Sequence, residues 1–130
     1  MFYSLLLALF SAQTLGAETP MSGAEFERYS TGKTIHYADQ NQSFGAEQYL
    51  PNRHVRWSYQ NGPCKDGIWY ENDELICFVY DDDPEPKCWA FYQRNGHLVA
   101  IYENDPENPP LLETKQSRKP LLCLGPQIGV

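Results

Sequence analysis

The sequence predicts an all-β fold, an antiparallel meander closing into a small barrel or a two-sheet sandwich, with one short helix ahead of it. Three observations predict it. Beyond Gly32 the chain breaks into short runs rich in aromatic and β-branched residues. Turn-forming pairs such as Asn72-Asp73 and Asn95-Gly96 separate those runs as in tight hairpins. A meander of short strands must also hide its edges, and closure into a barrel or packing as two sheets does so. We take the small barrel as the expected architecture. The length of 130 residues allows one domain with an ordinary single core.

The first residues, MFYSLLLALFSAQTLGA, are a different text from the rest. The apolar run 2–10 suits the central region of an export signal and is too short to span a bilayer as a helix. Gly16 and Ala17 are small residues ahead of the first charge, Glu18. Residues 1–17 are therefore expected to be a cleaved signal peptide and residues 18–130 a single β-rich domain, with no membrane segment after cleavage. The competing reading, a buried N-terminal helix or strand, draws on the lack of Lys or Arg before the apolar run and on the bulk of Leu15. Next, Ser22-Gly23-Ala24-Glu25 has the form of a capping box. Phe26 and Tyr29 share one side and Gly32 stops the pattern, which predicts a helix over 22–29.

Strands are expected at 34–37, 45–49, 54–59, 67–70, 75–80, 87–93 and 98–102, with a last one near 121–124. A tight turn centred on Pro51-Asn52 would set Glu47 opposite Arg56 as a cross-strand ion pair, and His54 opposite Tyr49. The proline-rich, polar stretch 105–120, DPENPPLLETKQSRKP, reads as a loop.

Four cysteines in a small chain that reads as exported point to disulfides. A four-residue loop at Asp81–Pro84 places Cys77 opposite Cys88, at a non-hydrogen-bonded pair where a bridge can form. That pairing leaves Cys64 with Cys123, although four cysteines allow two other connectivities. Zinc on Cys64, Cys77, Cys88, Cys123 and the histidines has no C-x2-C or closely spaced His pair to support it. Asp81, Asp82 and Asp83 lack the ligand loop of a dedicated calcium site and read as a solvated turn.

The same registers align Trp69, Ile76, Trp89 and Tyr102 as one row, with Phe78 and Phe91 on that face. The other face carries Ile68, Leu75, Cys77, Val79, Cys88, Ala90, Val99 and Ile101. Turned outward, Trp69, Trp89, Phe91 and Tyr102 form a candidate ligand- or partner-binding face; turned inward, they are core. His36, His54 and His97 read as polar residues at the surface or at strand ends. There is no G-x-S-x-G, P-loop, Rossmann fingerprint or H-E-x-x-H, so the chain is read as non-enzymatic, without cofactor or metal. A net charge of -7 without a basic cluster disfavours nucleic acid and anionic lipid as partners.

Gly67-x-Trp69, Cys77-Phe78 and Cys88-Trp89, with Glu47-Gln48-Tyr49 and Pro51-Asn52-Arg53, resemble a group of small exported bacterial proteins of uncharacterised function. The resemblance implies an envelope location and a β-fold, and carries no catalytic residues. Gly67-x-Trp69 also resembles the G-x-W of lipocalin-like barrels, where the motif lies on the first strand rather than after about three. The expected function is that of a periplasmic or secreted, disulfide-stapled β-domain binding an unknown protein or small ligand in the envelope. A secreted hydrolase inhibitor, acting through 81–86 or 106–120, is the alternative. A small enzyme using His54 or His97, or a zinc protein, is more remote.

Overall fold

Helix α1, Gly23–Ser30, begins where the capping box places it. Ser22 Oγ accepts from the Glu25 N–H at 3.1 Å, and the Glu25 carboxylate accepts from the Ser22 N–H at 3.4 Å. The computed structural model describes residues 18–123 apart from Asn41 and Asn61, so the expected signal peptide lies outside the described residues. Among those residues no helix is long and apolar enough to cross a membrane.

Eight strands follow in a meander: β1 Thr34–Asp39, β2 Gln42–Tyr49, β3 His54–Tyr59, β4 Lys65–Asn72, β5 Leu75–Tyr80, β6 Asp83–Arg94, β7 His97–Tyr102 and β8 Leu111–Ser117. Each pairs antiparallel with its neighbour, and β8 pairs back onto β1, so the sheet is a closed barrel. An eight-stranded barrel is just wide enough for its interior to be filled by side chains or to hold one small ligand. The expected all-β barrel with one N-terminal helix is therefore the fold.

Several details differ from expectation. The closing strand is not near 121–124 but is β8, inside the stretch read as a loop. Leu111 and Glu113 point inward, while Leu112 and Thr114 point out, a strand alternation that the flanking prolines and polar composition conceal. The connection after β2 is a three-residue 3₁₀ turn, Pro51–Arg53, rather than a two-residue one, so Glu47 lies opposite Trp57 and Arg56 opposite Gln48. Arg56 instead pairs with Asp66 at 2.7 Å, and Val55 takes the place opposite Tyr49. Finally, the β5–β6 hairpin turns at Asp81-Asp82, with Tyr80 facing Asp83. Its register shifts between Phe78 and Tyr80, so Pro84, Glu85 and Pro86 lie in a bulge where the missing proline N–H groups break no ladder.

The cysteine pairing is as derived from the hairpin. Cys77 and Cys88 lie opposite each other and are bridged, with Cα atoms 3.9 Å apart. The second bridge joins Cys64 to Cys123. It fastens the tail after β8, which runs across the outside of β1–β3: Thr34 Oγ1 donates to the Lys119 carbonyl at 2.7 Å, and the Leu121 N–H to Gln48 Oε1 at 3.2 Å.

The chain order puts the β2–β3, β4–β5 and β6–β7 turns at one end of the barrel, and α1 closes that end. Phe26, fully buried, meets the rings of Tyr49, Trp69, Phe78 and Phe91 at centroid distances of 4.4–6.4 Å. Polar clamps hold the plug in place. The Gly23 N–H at the helix N-terminus donates to the Glu71 carboxylate, Glu27 pairs with Arg53 at 2.6 Å, and Tyr29 Oη donates to Glu113.

Candidate functional site

The end opposite the helix is open. The strands alternate side chains, so residues two apart on each strand line the bore. Tyr37 comes from β1, Glu47 and Tyr49 from β2, Trp57 from β3, Phe78 and Tyr80 from β5, Trp89 and Phe91 from β6, and Ala100 from β7. Together they enclose a cavity of about 130 Å³, whose rim carries Tyr59, Lys65, Asp82, Asp83 and Lys87. Gly45 is part of this construction. A Cβ there would lie 2.5 Å from Trp57 Cζ2, so only glycine lets the indole fold across β2.

Glu47 is the chemically unusual member. It is 2 % exposed, one carboxylate oxygen accepts from Tyr80 Oη at 2.8 Å, and the other, Oε2, is buried with no hydrogen-bond partner among the described residues. Burial disfavours the carboxylate and lifts its pKa to about 8, with the Tyr80 hydrogen bond opposing part of that rise. At neutral pH the group is mostly a carboxylic acid. Tyr37 and Tyr49 share a hydroxyl–hydroxyl hydrogen bond of 2.8 Å beside it, and burial pushes both phenols well above their ordinary range. The Tyr80 phenol rises too, from burial first and then from Glu47.

The aspartate turn sits at the mouth. Asp82 pairs with Lys65 at 3.0 Å and Asp83 with Lys87 at 3.3 Å; the Glu85 N–H and Lys87 lower the Asp83 pKa. Both lysines are thus neutralised at the rim, and Asp81 adds a further negative charge to the same turn.

The row Trp69, Ile76, Trp89 and Tyr102 does occupy one face, and that face turns inward, so it is not an exposed outer patch. Ile76 pairs with Trp89 and Trp89 with Tyr102, while Trp69 lies opposite Phe78. Trp69 and Phe91 are buried, with Trp69 under the helix and the Arg53 guanidinium 4.4 Å from its ring. Trp89 and Tyr102 are half-buried, their rings edge-to-face at 5.0 Å. Of the four candidate site residues the cavity gathers Trp89 and Phe91 and leaves Trp69 and Tyr102 outside its lining. The opposite face is apolar as well. Cys77 and Ala90 are fully buried on it, and Tyr92 and Val99 cover a satellite cluster there.

The histidines stand apart from the cavity. His54 is exposed beside the 3₁₀ turn and opposite Ile68. His36 is half-buried, with burial and Lys115 lowering its pKa. His97 Nδ1 lies 3.1 Å from Glu113, a buried carboxylate that also accepts from Tyr29 Oη, the Leu98 N–H and Gln116 Nε2. Such full satisfaction marks Glu113 as a structural clamp between α1, β7 and β8, in contrast to the half-satisfied Glu47.

Glu47, Tyr37, Trp57 and Tyr80 were not among the candidate site residues of the sequence. The available signal was the alternation Gly45-x-Glu47-x-Tyr49 on a strand, which places a carboxylate in line with residues that must be buried. Comparison with known proteins gives no match to a family model, a curated protein or a solved structure. The fold and cavity define a class by themselves: a small disulfide-stapled antiparallel barrel, plugged by a helix at one end and open to a cavity at the other.

Proposed function

We propose that this chain is a non-enzymatic binding protein of the bacterial envelope, periplasmic or secreted, which takes a small ligand into the open end of its barrel. The observation that carries the reading is the cavity itself, walled by aromatic rings with a few polar groups, the usual make-up of a small-molecule site. At about 130 Å³ it suits a ligand near the size of one six-membered ring. The two disulfides support an oxidising compartment, and the resemblance to small exported bacterial proteins points the same way.

The test is a titration with toluene followed through tryptophan fluorescence, since Trp57 and Trp89 line the cavity. Saturable binding is expected, weakened at least tenfold in Ala100→Leu, where the inward methyl becomes a branched side chain filling the bore. A Trp89→Ala variant with unchanged near-native circular dichroism should also lose capture. If toluene leaves the fluorescence unchanged, or if A100L binds it as the native chain does, the cavity is not a site. For the location, a mature mass beginning at Glu18 without alkylatable thiols before reduction is the expected result. A full-length chain with four free thiols would overturn the envelope assignment.

A further inference from the structure

We infer that the ligand is a small organic cation, a primary ammonium on a compact apolar body, and that Glu47 is its counter-ion. The inference rests on the cavity being a binding site and adds the chemistry of what enters it.

Three observations converge on it. Glu47 lines the cavity, and its Oε2 is buried without a partner among the described residues, so an ammonium that ionises the carboxyl and donates to it relieves an unsatisfied polar atom. The walls around it are Trp57, Phe78, Tyr80 and Trp89, rings whose faces attract a cation and whose attraction grows when water is excluded. The rim completes the selection. With Lys65 and Lys87 each held by an aspartate, the extra charge at the mouth is that of Asp81, and the whole chain carries -7. An approaching cation is drawn in and an anion turned away.

Rival chemistries use fewer of these features. An apolar ligand leaves Oε2 unsatisfied. A neutral hydroxyl satisfies it and gains nothing from the rings. An anion is repelled by the acidic mouth and gains nothing from the ring faces. An ammonium uses both the carboxylate and the aromatic faces, and its charge offsets the burial that otherwise keeps Glu47 protonated.

That last point supplies a signature. Empty at pH 7, Glu47 with a pKa raised to about 8 is mostly protonated, and pairing with a cation ionises it. The tyrosines packed around it, Tyr37, Tyr49 and Tyr80, all have pKa values raised by burial and keep their protons. At the rim, Lys65 with Asp82 and Lys87 with Asp83 remain ion pairs. Binding of a cation should therefore release close to one proton into the buffer.

The experiment is isothermal titration calorimetry of the disulfide-intact protein at pH 7 in buffers of different ionisation enthalpy. The probes are tert-butylammonium and its neutral counterpart tert-butanol, with toluene as a reference for the cavity. Tert-butylammonium should bind at least tenfold more tightly than tert-butanol and release a proton on binding, as a Glu47 carboxyl raised to about 8 requires. In Glu47→Gln, which keeps the shape and the Tyr80 hydrogen bond, the preference and the proton release should vanish while toluene binds within about threefold of the native value. Equal or tighter binding of tert-butanol, no proton release, or an ammonium preference that survives in E47Q would each overturn the inference. Toluene binding without ammonium binding would remove the cation reading and leave the cavity standing; failure of toluene would remove both.

Discussion

Replacing Glu47 by glutamine should remove a pH dependence from the stability of the fold. Burial holds the Glu47 carboxyl up at about 8, against 4.5 for the same group in an unfolded chain. Between those values the folded state keeps a proton that the unfolded state has released, so stability falls as pH rises. Below 4.5 both states are protonated and the effect is absent; above 8 both are ionised and the penalty is complete. Each pH unit inside the window is worth about 1.4 kcal/mol, so the native chain should lose about 3 kcal/mol between pH 5.5 and 7.5 on account of this one group. Glutamine cannot titrate and retains an acceptor for Tyr80. Urea midpoints and slopes at pH 5.5, 6.5 and 7.5, measured on both proteins with disulfides intact, give the comparison. The difference between the profiles cancels the histidines, including His36, whose lowered value adds stability as pH rises through its range. Profiles that run parallel would refute the reasoning, because they would mean that the carboxylate is already ionised or is solvated.

Other expectations follow from the plug, the clamp and the staples. Phe26→Ala, which empties the ring cluster under the helix, should cost about 3–5 kcal/mol by urea denaturation and detach α1 in near-ultraviolet circular dichroism. Glu113→Ala should cost about 3 kcal/mol or more, because Tyr29 Oη and the Leu98 N–H lose a buried acceptor together. Replacing Cys77 and Cys88 by alanine should lower stability by roughly 3 kcal/mol, and replacing Cys64 and Cys123 by roughly 4, because the second pair closes the longer loop. Equal losses for the two pairs would count against the chain-entropy account of that difference.

The readable parts of this fold are those decided locally. The capping box needs only Ser22 and Glu25, and Asn95-Gly96 only its own positive φ angles, so both stand where the sequence places them. The β4–β5 turn falls at Asp73-Glu74, one residue later than expected, which changes the register by two and leaves every side chain on its face. Hence the aromatic row and the facing pair Cys77 and Cys88 were legible. Glu47 was not, for the converse reason. The turn after β2 has three residues, with Asn52 and Arg53 both in the left-handed region at φ 60° and 61°. Arginine adopts that conformation here while paired with Glu27 and lying against the Trp69 ring. Those partners are distant in sequence, so local turn chemistry points to the shorter loop. A one-residue difference moved Glu47 from a surface ion pair to the interior. Strand β8 was hidden in a similar way, since its inward Glu113 looks polar until Tyr29 and His97 are brought beside it from elsewhere.

The closure of β1 on β8 sets the order in which this protein can be made. Thr34 begins the first strand and is paired with Ser117, the last residue of the final strand. Until that residue has emerged, the growing chain is a curling ladder with two live edges, β1 and whichever strand came last, each offering unpaired backbone groups to any neighbour. The Cys77–Cys88 bridge can form early, inside a single hairpin, and Cys64–Cys123 must wait for the tail. The second disulfide is thus a latch that records completion. In its native pairing it can close only after Cys123, which lies beyond β8, has been made.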